Sequence, residues 1–279
     1  MLNLKREYSM KVLFITQEML PYVPENVVSA DGRKLPQMLQ EQDCEIRTFM
    51  PRWGIINERR NQLHEVIRLS GMNIIIDDTD HPLIIKVASI QAAHMQVYFI
   101  DNDDYFHKRQ IMTDNSGQEY ADNVERAVFY ARGVLETVKK LRWCPDVVYC
   151  QGWISSVVPF YIKTAYKEEP PFAETKVVCS IYDSMPHTAL SQHLSECIYF
   201  RGADERSLGK AKVDLEASDG LGRLAVAFSD GVIRGEKGVR PELWEYAQTL
   251  GKHVLDTPSE DEMAASYKAF FEQIAGTVC

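Results

Sequence analysis

The sequence predicts an α/β fold: a doubly wound, mostly parallel sheet with a β-rich insertion. Three observations predict it. Short apolar runs end in polar residues, as in KVLFIT at Lys11 to Thr16. Between such runs lie stretches with apolar residues at helical spacing. Residues 62–100 form a third kind of segment, in which apolar runs are separated only by turns. A continuous apolar run suits a strand buried on both faces, and strand-helix alternation suits a parallel sheet.

Taken in order, Lys11 to Thr16 is the first strand, followed by a loop with two prolines. Ser29 can cap a helix running to about Gln42, with Leu35, Met38 and Leu39 on one face. Cys44 to Met50 is the second strand. The runs LHEVIRL, MNIII, PLIIKV and MQVYFI then form the insertion, as antiparallel strands on a sheet edge. Within it Asp77, Asp78, Asp80 and His81 cluster, but their spacing fits no calcium loop and a turn is the better reading.

Asp122 to Leu141 carries Val124, Val128, Ala131, Val134, Leu135, Val138 and Leu141 at helical spacing and ends in basic residues, as a helix C-terminus favours. Strand Asp146 to Cys150, helix Ser155 to Lys167 and strand Lys176 to Ile181 resume the alternation. Residues 187–279 read as helical, with helices near 187–196, 204–216, 241–251 and 260–275. Gly220, Gly222, Gly235 and Gly238 are assigned to helix C-caps.

The chain has 279 residues, near the size at which one core stops growing, so residues 10–279 are expected to form a single domain behind a short extension at 1–9. A net charge of -9 argues against a broad nucleic-acid surface, and no apolar run is long enough for a membrane span. The first ten residues have no apolar core of a secretory signal, which leads to a cytoplasmic expectation. Six cysteines without a CxxC pair read as reduced and structural. His187 and His193 are six apart, too far for one helical face, so no metal is expected. No dinucleotide fingerprint, Walker A or Gly-x-Ser-x-Gly element occurs, and no cofactor is expected.

Four stretches together point to a family. The opening KVLFITQEMLPYVPENVVSADGRKLPQML, FMPRWGII at Phe49 to Ile56, VYFIDNDDYFHKR at Val97 to Arg109, and YADNVERAVFYA with PDVVYCQGW come in this order at near-constant spacing. They resemble the Ser-Glu and Lys-Thr-Gly-Gly-Leu opening, the Leu-Pro-Arg-Tyr-Gly segment, the Phe-Leu-Asp-x-x-x-Tyr-Phe-x-Arg region, and the Asp-Asn-x-x-Arg-Phe helix and His-Asp-Trp strand end of the glycogen and starch synthases. The resemblance covers roughly residues 10–186. It implies the N-terminal Rossmann-like domain of a GT-B glycosyltransferase, whose active site lies between two such domains, and α-glucan or sugar-nucleotide ligands.

The chain departs from that pattern at the ligand loop. Pro24-Glu25-Asn26-Val27-Val28 stands where the family has Lys-Thr-Gly-Gly-Leu. Proline lacks an N–H, glutamate is anionic and valines bring Cβ atoms, so phosphate is disfavoured there. Arg33 and Lys34 lie one to two turns on, where a solvated helix face is their ordinary role. His-x-His-Asp-Trp becomes Tyr149-Cys150-Gln151-Gly152-Trp153, and Thr-x-His-Asn becomes Ser180-Ile181-Tyr182-Asp183. Gln151 can hydrogen-bond a hydroxyl but cannot titrate, and Tyr182 either stacks on a sugar or packs. Nothing after residue 187 resembles the second domain.

Carried over by the resemblance, the candidate cleft residues are Glu18, Tyr105, Asp122, Asn123, Arg126, Gln151, Trp153, Tyr182 and Asp183, beside the retained Phe106 and Arg109. For the retained positions, fold maintenance competes with a remnant cleft floor and is favoured, with Asp122 capping the long helix and Arg126 bridging to a carboxylate. The expected function is a family homologue that is not a self-sufficient transferase and acts as a glucan-binding or regulatory module. The alternative is an active glucosyltransferase completed by a partner chain or a dimer. An uncovered cleft favours self-association, unless the aromatic C-terminal helix covers it.

Overall fold

The computed structural model describes residues 10–186 and 197–276. Its sheet runs β10-β9-β8-β7-β1-β2-β6-β5-β3, with β4 paired to β5. The strands are β1 Met10–Thr16, β2 Cys44–Pro51, β3 His64–Glu65, β4 Met72–Ile76, β5 Thr79–Ile90, β6 Met95–Asp101, β7 Val147–Gln151, β8 Lys176–Ile181, β9 Gly231–Arg234 and β10 His253–Leu255. From β10 through β6 every neighbouring pair is parallel. The insertion adds the antiparallel partners β5, β4 and β3 at the far edge.

Helices cover both faces. On one side α1 (Val27–Glu41) and α7 (Met263–Ala275) lay Leu35, Leu39, Tyr267, Phe270, Phe271 and Ile274 on Val12, Phe14, Tyr149, Val178 and Ile233. On the other, α2 (Asn123–Leu141), α3 (Val158–Lys163), α5 (Gly220–Phe228) and α6 (Pro241–Thr249) pack on Leu13, Ile15, Val148, Cys150, Val177 and Val232. A short α4 (Glu205–Ala211) lies outside these layers. Alternate residues of each central strand thus enter opposite cores, which is why KVLFIT is apolar throughout. Each fully buried side chain contributes about 1.5–3 kcal/mol. The aromatic helix α7 therefore covers a sheet face, where Tyr267 and Phe271 meet Tyr149, and not the cleft at the strand ends.

Several boundaries and one whole region differ from the sequence expectation. Helix α1 is capped by Asn26, not Ser29: Asn26 accepts from the Ser29 N–H, and Ser29 Oγ accepts from the Asn26 N–H. Serine occupies the third helical position, so the reciprocal capping box starts the helix earlier. Asp122 makes no side-chain cap to α2. Residues 197–276 are not helical throughout, because β9 and β10 extend the parallel sheet beyond β8. These strands have four and three residues, too short to show a period, and form because an open edge is offered to them.

The glycine assignment is corrected as well. Gly220 and Gly222 open α5, and a Cβ on Gly222 would meet Leu243 Cδ1 at 2.6 Å, so the glycine lets α5 and α6 approach. Gly235 follows β9 and faces the Tyr182 ring, and Gly238, at φ +77, lies in the loop before α6. The acidic cluster is a hairpin: Ile76 pairs with Thr79 across Asp77 and Asp78, both left-handed, the geometry of a two-residue turn. The helix expected at 187–196, with His187 and His193, lies outside the described residues, as does Cys279. Cys44, Cys150, Cys179 and Cys197 are buried, and Cys144 is exposed. No helix among the described residues is long and apolar enough to cross a membrane.

Candidate functional site

Parallel strands leave a crevice at their carboxyl ends, and here the loops after β1, β7 and β8 open into one. A cleft of about 350 Å³ is lined by Gln17, Glu18, Pro24, Asn26, Ile55, Gln110 to Thr113, Trp153 and Ser184. No lysine, arginine or histidine is among these residues.

The floor is built on Gln17. Its N–H donates to the Gln151 carbonyl at 3.0 Å, extending the β1–β7 ladder by one residue. Its carbonyl accepts from Trp53 Nε1 at 2.7 Å, and its side-chain oxygen accepts from the Trp153 N–H at 3.0 Å. Gly152, at φ +81, makes the turn possible; a Cβ there would lie 2.5 Å from the Gln17 side chain. The Gln17 amide then donates to Glu18 Oε1 at 2.5 Å. Asn26 Nδ2 donates to Glu18 Oε2, also at 2.5 Å, so both oxygens of this carboxylate, in a residue only 4% exposed, face amide donors. Among the described residues, two buried groups on the cleft lining have no hydrogen-bond partner: Trp153 Nε1 and Ser184 Oγ.

The opposite wall, Gln110 to Thr113, is held by Arg126 from α2. Its Nε donates to the Tyr105 carbonyl at 2.9 Å, Nη1 to the Ile111 carbonyl at 3.0 Å and to Asn123 Oδ1 at 2.7 Å, and Nη2 to the Gln110 carbonyl at 2.7 Å. Its guanidinium also lies 5.0 Å from the Trp53 and Tyr120 rings. Burial, then the charge of Arg109, lowers its pKa to about 9, so it remains a cation at neutral pH. No carboxylate bridges to it among the described residues; the expected ion pair is replaced by main-chain carbonyls. Asp122 pairs instead with both terminal nitrogens of Arg109. The Arg109 main chain meets Gly54, whose N–H donates to its carbonyl at 2.7 Å.

Glu18 and Trp153 therefore reach the cleft directly, while Asn123 and Arg126 support its wall from beneath. Tyr105 is buried behind that wall, donating to Glu125 Oε2 at 3.0 Å with His81 Nε2 also at 3.0 Å. Gln151 and Tyr182 belong to an internal chain under the floor. Thr16 reaches the Gln151 oxygen, the Gln151 amide donates to Tyr182 Oη at 3.0 Å, and Tyr182 donates to Asp31 Oδ2 at 2.8 Å. Burial raises both the Tyr182 hydroxyl, well above its usual range, and the Asp31 carboxyl. Asp183 sits at the edge, largely exposed, 3.2 Å from Arg240 Nε. Arg33 is engaged with Gln37 and Lys34 with Glu260, so neither turns toward the loop at 24–28.

Sequence reasoning passed over Gln17, Asn26, Trp53 and Ser184. Asn26 had a readable signal, since Asn three residues before Ser is a capping pattern. The partnerships of Gln17 and Trp53 are purely tertiary.

The chain is similar to known proteins. A family model described as the starch synthase catalytic domain matches residues 11–245. The chain belongs to that family. A glycogen synthase of Chlorobium limicola is 33% identical over 174 residues, 62% of this chain and 36% of the relative. One of Chlorobaculum parvum is 30% identical over 220 residues, 78% of this chain and 42% of the relative. The chain thus spans about two fifths of the length of these curated relatives. The structure of the catalytic domain of starch synthase IV from Arabidopsis thaliana, bound to ADP and acarbose, aligns with TM-score 0.67 at 16% identity, covering 89% of this chain and 51% of that one. That likeness shows a Rossmann-like α/β fold. The Trp153 strand end meets the loop after β1 through Gln17.

Proposed function

We propose that this chain is a glucan-binding member of the starch synthase catalytic domain family that does not transfer glucose on its own. The observation that carries the reading is the lining of the cleft: uncharged hydrogen-bonding groups, apolar side chains and one carboxylate, without a basic side chain among the described residues. A diphosphate donor calls for cationic or backbone N–H partners, whereas a saccharide is satisfied by amides, hydroxyls and an indole. Transfer of labelled glucose from ADP-glucose and UDP-glucose to glycogen, beside an active synthase, tests it. The expected result is retention on glycogen without incorporation; incorporation proportional to the amount of chain overturns it.

A second reading, an active transferase completed by a partner chain or by dimerisation, is favoured by the apolar rim of the cleft. Val27 is 46% exposed and Ile55, which lines the cleft, 42%. Activity that rises with the square of chain concentration would support the dimer form.

A further inference from the structure

The turn after β3 carries the most exposed large apolar side chain among the described residues. Leu69 and Ser70 donate their N–H groups to the Val66 carbonyl at 2.9 and 3.1 Å, which places Ile67 and Arg68 at the centre of a tight turn. The turn is pinned on both sides. Val66 N–H donates to the Ile85 carbonyl at 2.8 Å, Gly71 N–H to the Leu83 carbonyl at 2.9 Å, and Lys140 Nζ to the Leu69 carbonyl at 3.0 Å. Leu69 is buried, while Ile67 is 82% exposed. Arg59, Arg60 and Arg68 are exposed in the same segment and make no ion pair among the described residues. Of the acidic residues there, Glu58 is engaged by Arg52 and Lys86, and Glu65 stands across from Lys86 in the β3–β5 register.

Around α4 the surface has the complementary character. Asp204 caps the helix by accepting from the Ser207 N–H at 2.9 Å, and after Ala211 the chain folds back, with Val213 N–H on the Leu208 carbonyl at 3.2 Å. A groove of about 640 Å³ results, lined by Tyr199, Leu208 and Leu215 and by the exposed Glu205, Asp214 and Glu216. No lysine or arginine is among its described lining residues, and neither Glu205 nor Glu216 makes an ion pair among the described residues. The Tyr199 ring is 43% exposed, and its hydroxyl is raised by burial, then by the charges of Glu205 and Asp204. Gly209 also lines the groove, and a Cβ there would meet nothing within 4 Å, so the glycine leaves the space open.

We propose that this groove takes the Ile67–Arg68 turn of a second copy of the chain, in a head-to-tail contact. Apolar lining beside unpaired carboxylates fits a cationic segment tipped by one apolar side chain. Among the exposed large apolar residues described, only Ile67 stands next to an arginine in the chain. A guanidinium also lies favourably on an exposed tyrosine face. Because the turn is already fixed by its backbone hydrogen bonds, docking orders little that was loose. The contact joins two different patches, so it is heterologous. The groove shares no lining residue with the cleft, and the inference does not rest on the glucan reading.

Sedimentation velocity of the full chain over rising concentration tests it, with Ile67→Asp to spoil the turn and Gly209→Leu to fill the groove. Ile67 is exposed and Gly209 lies inside a helix beside open space, so neither change is expected to lower the thermal midpoint. Wild type is expected to self-associate as concentration rises, and each variant alone to lose about tenfold or more in association constant. A 1:1 mixture of the two variants is expected to recover a dimer and nothing longer, because the intact turn of Gly209→Leu meets the intact groove of Ile67→Asp.

A wild type that stays monomeric overturns the inference and leaves the groove to a different cationic partner. A single variant that associates as wild type does also overturns it, as does a mixture that stays monomeric or grows past the dimer. Should Gly209→Leu not fold, Glu216→Arg takes its place with the same outcomes.

Discussion

Arg126 Nε donates to the main-chain carbonyl of Tyr105 at 2.9 Å, from a side chain that is wholly buried. Its other donors take the Gln110 and Ile111 carbonyls, so one cation satisfies the backbone of the cleft wall. Replacing Arg126 with methionine removes the charge, keeps much of the volume and leaves three carbonyls unpartnered. The expected cost is about 3 kcal/mol or more, read as a loss in denaturant midpoint. An unchanged midpoint would contradict this account of the wall.

Gly152→Ala is expected to destabilise through strain. The residue sits at φ +81, and a Cβ there collides with Gln17 at 2.5 Å. The expected loss is about 2–3 kcal/mol in urea unfolding. Gly71→Ala, at φ +83 with nothing within 4 Å of the added Cβ, should lose only about 1 kcal/mol, which separates collision from backbone preference.

Gln17→Ala removes the acceptor of the Trp153 N–H and one donor to Glu18 together. Stability should fall by about 1–3 kcal/mol, and maltooligosaccharide affinity should fall with it, because the floor that presents Glu18 and Trp153 is released. A stability loss with intact affinity would show that the floor does not order the ligand groups.

Asp31 gives a pH signature. Burial raises its folded pKa above 3.8, against the Tyr182 hydrogen bond and the Lys34 charge, which lower it. The folded state therefore holds the proton more tightly than the unfolded chain. The stability this contributes is complete below pH 3.8 and is lost as pH rises through the folded pKa. Asp31→Asn should remove that loss, so the stability difference, variant minus wild type, should grow as pH rises from below 3.8 and then level off. Chemical denaturation across pH 3 to pH 7 measures it; a difference that shrinks with rising pH would reverse the assignment.

Much of the scaffold was legible because it depends on local rules. The run KVLFIT had to be a strand buried on both sides, and the spacing from Val124 to Leu141 had to be a helix. β9 and β10 were not legible: GVIR and HVL are too short to carry a period, and they become strands only because β8 presents an unpaired edge. Of the candidate site, Glu18 and Trp153 were named from motif position and do lie on the cleft. Asp122 was assigned a cap and Arg126 a carboxylate because sequence shows charges but not which partner geometry allows. Gln151 and Tyr182, placed by motif at strand ends, spend their hydrogen bonds on each other and on Thr16 and Asp31 beneath the floor.

By itself the sequence determined the strand-helix alternation of the parallel sheet and the family resemblance, since periodicity, motif order and residue identity are properties of the chain alone. Only the tertiary structure decided what the loop at 24–28 does. Segments far apart in sequence, at Gln17, Asn26, Arg126 and Trp153, meet at the carboxyl ends of the parallel strands, and hydrogen bonding there is a matter of a few tenths of an ångström that no spacing rule contains. Burial then fixes the electrostatics: the same glutamate that would be a solvated charge on an open loop becomes, between two amides and with no cation among the described residues of the lining, the dominant charge there.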